Sequence, residues 1–113
     1  MKFTPTHEWI RVEGKIGVVG ITGYAQKELG EIVHIELPKI GLIVNAGDEV
    51  CVLESTKSAT DIYSPVSGKI VAVNQALKST PGLINQSPEA EGWLYRIELS
   101  SMKELLSFVS SSP

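Results

Sequence analysis

Glu54-Ser55-Thr56-Lys57-Ser58-Ala59-Thr60-Asp61-Ile62-Tyr63 is the stretch that decides how this chain reads. Upstream of it, Glu49 to Ser55 is apolar and β-branched, which predicts a strand with Val50, Val52 and Glu54 on one side. A second strand is expected at Ile62-Tyr63. The small and hydroxylic residues between the two suit a tight connection. Lys57 therefore falls at or near the tip of a hairpin. A lysine in a turn is ordinarily just a solvated charge. Here Glu54 and Asp61 bracket it, and carboxylates favour the ammonium form. That arrangement is poor for a lysine nucleophile, which needs its free amine. It is no obstacle to acylation by another enzyme, after which the two carboxylates are free to attract a different cation.

Working outward, short strand-like runs recur, each closed by a turn signal. Ile10-Arg11-Val12 and Lys15 to Val19 flank Glu13-Gly14 and predict a hairpin. Thr22 is placed to cap a short helix through about Leu29, with Tyr24, Ala25 and Leu29 on its apolar side and Gly30 at its C-terminal cap. Strands follow at Ile32 to Leu37, Leu42 to Val44, Lys69 to Val73 and Trp93 to Leu99. Helical turns and loop are expected from Gln75 to Ile84. Ser101-Met102-Lys103-Glu104 has capping-box spacing and predicts a short C-terminal helix over about 101–109. The Ser110-Ser111-Ser112-Pro113 tail is expected to fray. Many short strands with few helices predict a mainly β fold, a flattened β-barrel or sandwich of two antiparallel sheets.

Composition narrows the function classes. A length of 113 residues suits one domain over 1–113, and 42% hydrophobic with 20% charged residues is a globular rather than a disordered balance. The net charge of −3, with no run of Lys or Arg, argues against nucleic-acid binding. No apolar stretch is long enough to span a bilayer, and Met1 to Pro5 lacks the apolar core of a signal peptide, so no membrane role is expected and the expected location is cytoplasmic. Cys51 is the one cysteine, and no Cys/His spacing resembles a metal site. Within Val50-Cys51-Val52-Leu53 it reads as a small buried hydrophobe. A nucleophilic site built from Cys51, His7, His34 and Asp61 is the enzyme reading. Turnover lost in Cys51→Ala would support it, but a carrier without catalysis is preferred.

The run from Glu54 through Ser64-Pro65-Val66-Ser67-Gly68 resembles the lipoylation loop of the glycine cleavage system H-protein family. Further matches lie at Thr6-His7-Glu8-Trp9, Gly20-Ile21-Thr22-Gly23-Tyr24-Ala25-Gln26, Leu29-Gly30-Glu31-Ile32-Val33, Leu37-Pro38, Gly41, Leu83-Ile84-Asn85 and Gly92-Trp93-Leu94, in the family's order. The resemblance implies a lipoyl-domain fold with its lipoyl-binding core at about 15–99. Lys57 would carry lipoate as N6-lipoyllysine, and Glu54 would serve recognition of the loop by a lipoate ligase or lipoyl transferase. The arm would accept the aminomethyl group of glycine from glycine decarboxylase, present it to aminomethyltransferase, and be reoxidised by dihydrolipoamide dehydrogenase. Thr6, Glu8 and Asp61 would line the cleft that shelters the loaded arm. A shuttle of this kind is expected to be a monomer.

This sequence departs from the family pattern at Thr56 and Ser58 beside the lysine, at Gly82, at Glu89-Ala90, and in its short, serine-rich C-terminal stretch. Thr56 and Ser58 stand where a biotin carrier has methionines. The Thr6-His7-Glu8-Trp9 opening is foreign to the lipoyl domains of 2-oxo-acid dehydrogenases. One alternative keeps the same loop: a relay that receives lipoate and donates it to 2-oxo-acid dehydrogenase subunits.

Overall fold

The computed structural model describes residues 1–110. Nine strands form two antiparallel sheets. They are β1 (Lys2–Phe3), β2 (Glu8–Glu13), β3 (Ile16–Ile21), β4 (Ile32–Glu36), β5 (Ile43–Val44), β6 (Glu49–Ser55), β7 (Ala59–Tyr63), β8 (Gly68–Val73) and β9 (Tyr95–Leu99). The larger sheet runs β1-β2-β3-β9-β8-β5 and the smaller one β4-β6-β7. Both keep open edges, so the architecture is a sandwich and not a closed barrel. Helix α1 spans Gly23–Leu29, and two single turns, α2 (Ala76–Ser79) and α3 (Leu83–Gln86), occupy the segment expected to be helical turns and loop. No helix among the described residues is long and apolar enough to cross a membrane.

Alternation explains which faces meet. Ile10, Val19, Ile70 and Ile97 from the larger sheet share one buried cluster with Ile32, Ile35, Leu53 and Ile62 from the smaller. Each such side chain contributes about 1.5–3 kcal/mol on burial. The hairpin tip between β6 and β7 buries none of these groups, so its sequence is free to serve another purpose. A second, smaller cluster of Phe3, Trp9 and Val18 lies apart, with Trp93 packed on it. Trp9 is fully buried, and its indole Nε1 donates to the Pro88 carbonyl at 2.9 Å.

Register shifts interrupt the alternation in three strands, one of them between Ile70 and Ala72 in β8. The register shifts between Glu49 and Cys51, so Val50 and Cys51 are both buried and Val52 and Glu54 turn outward. The expected shared side for Val50, Val52 and Glu54 is thereby broken, because an extra residue inverts the alternation on one side of it. A further shift between Ile32 and His34 leaves Val33 and His34 both exposed.

The C-terminal element is also different from expectation. It is a 3₁₀ helix over Met102–Ser107 rather than an α-helix over 101–109. Ser101 Oγ accepts from the Lys103 amide, but Glu104 does not complete a capping box. Its carboxylate instead accepts from the Ser67 amide and hydroxyl, both at 2.8 Å, and ties the turn before β8 to the C-terminal segment. Beyond it, Val109 bridges antiparallel to Phe3. The expected fraying of the serine tail falls largely on residues 111–113, outside the described residues.

Candidate functional site

The β6–β7 connection is a four-residue turn, Ser55–Ser58, closed by the Ser55 amide donating to the Ser58 carbonyl at 2.8 Å. Ser55 Oγ also accepts from the amides of Lys57 and Ser58, at 3.1 and 3.2 Å. One hydroxyl thus satisfies two donors that the tight turn leaves without strand partners. The Thr56 amide donates to the Glu31 carbonyl at 3.0 Å, which fastens the tip to the junction of α1 and β4. Lys57 is exposed at the tip, on a backbone held from two sides.

Its side chain lies over Gly30. A Cβ placed at Gly30 would sit 3.4 Å from Lys57 Cε and 3.9 Å from Nζ. Gly30 has φ +82 and ends α1, a conformation that glycine adopts without strain. Asn85 fixes this junction. Its Oδ1 accepts from the Ile32 amide at 2.9 Å, and its Nδ2 donates to the Gly30 carbonyl at 2.8 Å and to Gln26 Oε1 at 3.0 Å.

Beside this junction lies a cleft of about 370 Å³ between α1, β7 and the N-terminal turn. Thr6, Glu8 and Asp61 all line it, so the structure brings together three of the residues singled out in the sequence. Glu8 is 4% exposed. Its Oε1 accepts from the hydroxyls of Thr4 and Thr6 at 2.7 and 2.6 Å. Burial pushes the Glu8 carboxyl above the ordinary range, against the opposing pull of those hydroxyls and of the neighbouring His7. Asp61 differs in kind. It is exposed on the edge strand β7 and also borders a neighbouring hollow beside Glu36, Val50 and Val52. Glu8 is the inner carboxylate of the cleft and Asp61 a rim carboxylate.

Glu54 does not join this group. It pairs across the sheet with His34, and its carboxylate lies with His34 and Glu36 on the outward face, ligand atoms within 4.8 Å of one another. Its position three residues before Lys57 leaves it beside the tip but outside the cleft.

Sequence reasoning missed several lining residues. Ala25, Glu28 and Leu29 recur at the helical spacing of one face of α1, a signal that was present. Thr60, Ile62 and Tyr63 of β7 line the cleft beside Asp61, so both faces of this edge strand border it. His7 carried no such signal. It adopts φ 68 in a turn, with its ring centroid 4.6 Å from that of Tyr24. Glu89, a departure from the family pattern, accepts from the Gly23 amide at 2.8 Å and so anchors the start of the helix that walls the cleft.

Cys51 takes no part. It is buried, and desolvation pushes its thiol up to about 12, far from the thiolate that a nucleophile needs.

A mobile lipoyl arm in amide linkage needs an accessible amine, a firmly anchored turn to carry it and an adjoining apolar trough. Lys57, its anchored turn, and the Ile21, Ala25, Leu29 and Ile62 walls of the cleft supply these, so the residues present fit lipoate.

Comparison with known proteins points the same way. The family model described as "Glycine cleavage H-protein" matches residues 1–112. The chain is 50% identical over 104 residues to a glycine cleavage system H protein of Thermotoga maritima, covering 92% of this chain and 84% of that one. It is 52% identical over 103 residues to that of Thermus thermophilus, covering 91% and 80%. The crystal structure of a glycine cleavage system H protein from Mycobacterium marinum superposes with a TM-score of 0.86 at 35% identity, covering 96% of this chain and 87% of that one. With the two-sheet fold, the anchored lysine turn and the adjoining cleft, these matches establish that the chain belongs to the glycine cleavage H-protein family.

Proposed function

We propose that this chain is the lipoyl carrier of a glycine cleavage system, with lipoate in amide linkage to Lys57, and that it does no catalysis of its own. The reading takes residues 1–113 as one carrier domain. Its main support is the juxtaposition of Lys57 with the cleft: the side chain lies over Gly30, and Leu29, the next residue back, already lines the cleft. Bound lipoate would supply a disulfide that accepts the aminomethyl group of glycine on one sulfur while the other is reduced to a thiol, and that is left as a dithiol once the group is released.

The chain's own residues do the rest. The Ser55–Ser58 turn presents Lys57 to a lipoate ligase or lipoyl transferase, with Glu54 beside it for recognition. Ile21, Ala25, Leu29 and Ile62 exclude water along the cleft. Glu8, positioned by Thr4 and Thr6, offers a carboxylate to the cargo amine, and a charge-assisted bond in a partly dry site is stronger than one in water. Thr6 and Asp61 complete the set. In this reading glycine decarboxylase loads the carrier, aminomethyltransferase unloads it, and dihydrolipoamide dehydrogenase reoxidises it.

The test is reconstitution of the lipoylated protein with those three enzymes and isotope-labelled glycine. Label is expected to reach the aminomethyltransferase product only when the lipoylated chain is present. No label transfer, with lipoyl groups moving instead from this chain to a 2-oxo-acid dehydrogenase subunit, would replace the shuttle with a relay.

A further inference from the structure

We propose that Glu28 is a further positioning residue of this cleft, a third carboxylate that favours the arm when its end is cationic and not when it is neutral. The inference rests on the carrier reading of Lys57 and adds a determinant of how the arm's state is recognised.

Ala25, Glu28 and Leu29 face the cleft from α1, and Lys57 lies over Gly30 at its end. At 1.5 Å per residue, about 9 Å of helix separate Gly30 from Tyr24. A group extending from Lys57 toward Glu8 therefore runs along this wall and passes Glu28 on the way. Apart from His7, which neighbours Glu8, the charged groups lining the cleft are the carboxylates Glu8, Glu28 and Asp61, with no Lys or Arg among the lining residues. Lys27, on the same helix, is not among them. Glu28 is not neutralised by a partner either, since the ion pair among the described residues is Arg11 with Glu13.

The carboxylates differ in readiness. Glu8 is buried and its Oε1 is committed to two hydroxyls, so its position is set. Glu28 is exposed and can follow a charge moving along the wall. An aminomethyl end carries a positive charge at neutral pH, whereas the disulfide and the dithiol do not. Glu28 thus attracts one state of the arm and is indifferent to the others.

The experiment loads the dihydrolipoyl protein from formaldehyde and ammonium, with loss of water, then removes both reagents and follows spontaneous loss without partner enzymes. In that loss water cleaves the carbon–sulfur bond, giving the free thiol, formaldehyde and ammonium. A thiol reagent reports the rate. Relative to wild type, Glu28→Gln is expected to lose cargo about threefold faster in dilute buffer, the size of one exposed charge pair. Glu28→Lys is expected to lose it about tenfold faster. Both differences are expected to shrink to less than half in 1 M salt, where screening acts over about 3 Å. The disulfide arm should be reduced by an uncharged phosphine at the same rate in all three proteins.

Equal loss rates for the three proteins in dilute buffer would overturn the proposal. So would differences that persist undiminished in 1 M salt, which would mark a packing effect. If wild type itself loses cargo as fast as free aminomethyl dihydrolipoamide, the sheltering cleft fails, and with it the reading on which Glu28 depends. A sheltered wild type matched by Glu28→Gln and Glu28→Lys would remove Glu28 alone.

Discussion

Replacing Gly68 with alanine is expected to destabilise the protein by about 3 kcal/mol, at the upper end of ordinary overpacking. Gly68 pairs with Leu99 in β9 and with Val44 in β5, so the larger sheet is closely apposed around it. A Cβ there would lie 2.1 Å from the Glu98 carbonyl oxygen and 2.9 Å from its carbon. Both are backbone atoms within a strand and cannot rotate away as a side-chain tip does. The sheet must separate or shift register to admit one methyl group. For a chain of this size the melting temperature should fall by roughly 10–15 °C. Gly82→Ala provides the control. Its φ is −63 and nothing lies within 4 Å of the added Cβ, so its melting temperature should stay level or rise slightly. Equal melting temperatures for the two variants would contradict the apposition of β8 and β9.

Glu8→Gln is expected to stabilise the unmodified protein near neutral pH while impairing the loaded carrier. Burial raises the Glu8 carboxyl in the folded chain above its unfolded value. The folded state therefore holds this proton more tightly than the unfolded state. The corresponding stability is fully present below the ordinary carboxylate range. It is lost as pH rises from that range through the raised folded value. Above the raised folded value the wild type bears the penalty of an ionised, buried group, and the amide variant does not. An amide oxygen can still accept from Thr4 and Thr6. A gain of about 1 kcal/mol is expected at pH 7, shrinking toward zero as the pH is lowered below the carboxylate range. The opposite holds for function. A hydrogen bond between charged groups contributes about 1.5–3 kcal/mol, so the variant should lose its aminomethyl cargo roughly 10- to 100-fold faster. Thermal melts across pH and the thiol-release assay read the two effects separately. A variant less stable than wild type at pH 7, or one with an unchanged cargo lifetime, would contradict this assignment of Glu8.

Much of this was legible in the residues, for reasons that can be named. The hairpin bearing Lys57 is announced by two β-forming runs and a hydroxylic turn, all local signals. Helix α1 was equally local: Thr22 accepts from the Ala25 amide and Gly30 closes the last turn, as their spacing requires. The bulges at Val50 and Val33 were not legible, because a bulge is decided by the partner strand and alternation looks regular on one strand alone. Capping-box spacing at Ser101 and Glu104 misled for a related reason. The carboxylate found a better pair of donors on Ser67, 37 residues away in sequence. The pairing of Phe3 with Val109 spans nearly the whole chain and had no local signature. At the site, Thr6, Glu8 and Asp61 came through the family resemblance. The helical wall of Ala25, Glu28 and Leu29 was present in the spacing but became a cleft only once β7 lay opposite it.

The claim on which the rest depends is that Lys57 is the attachment point. It is tested most directly by intact mass, before and after incubation with lipoate, ATP and an active lipoate ligase, on wild type and on Lys57→Arg. The account predicts a gain of one lipoyl group in wild type and none in the variant, with both proteins folded by circular dichroism. No gain in the folded wild type, alongside a control domain that the same ligase modifies, would contradict it, as would an equal gain in Lys57→Arg.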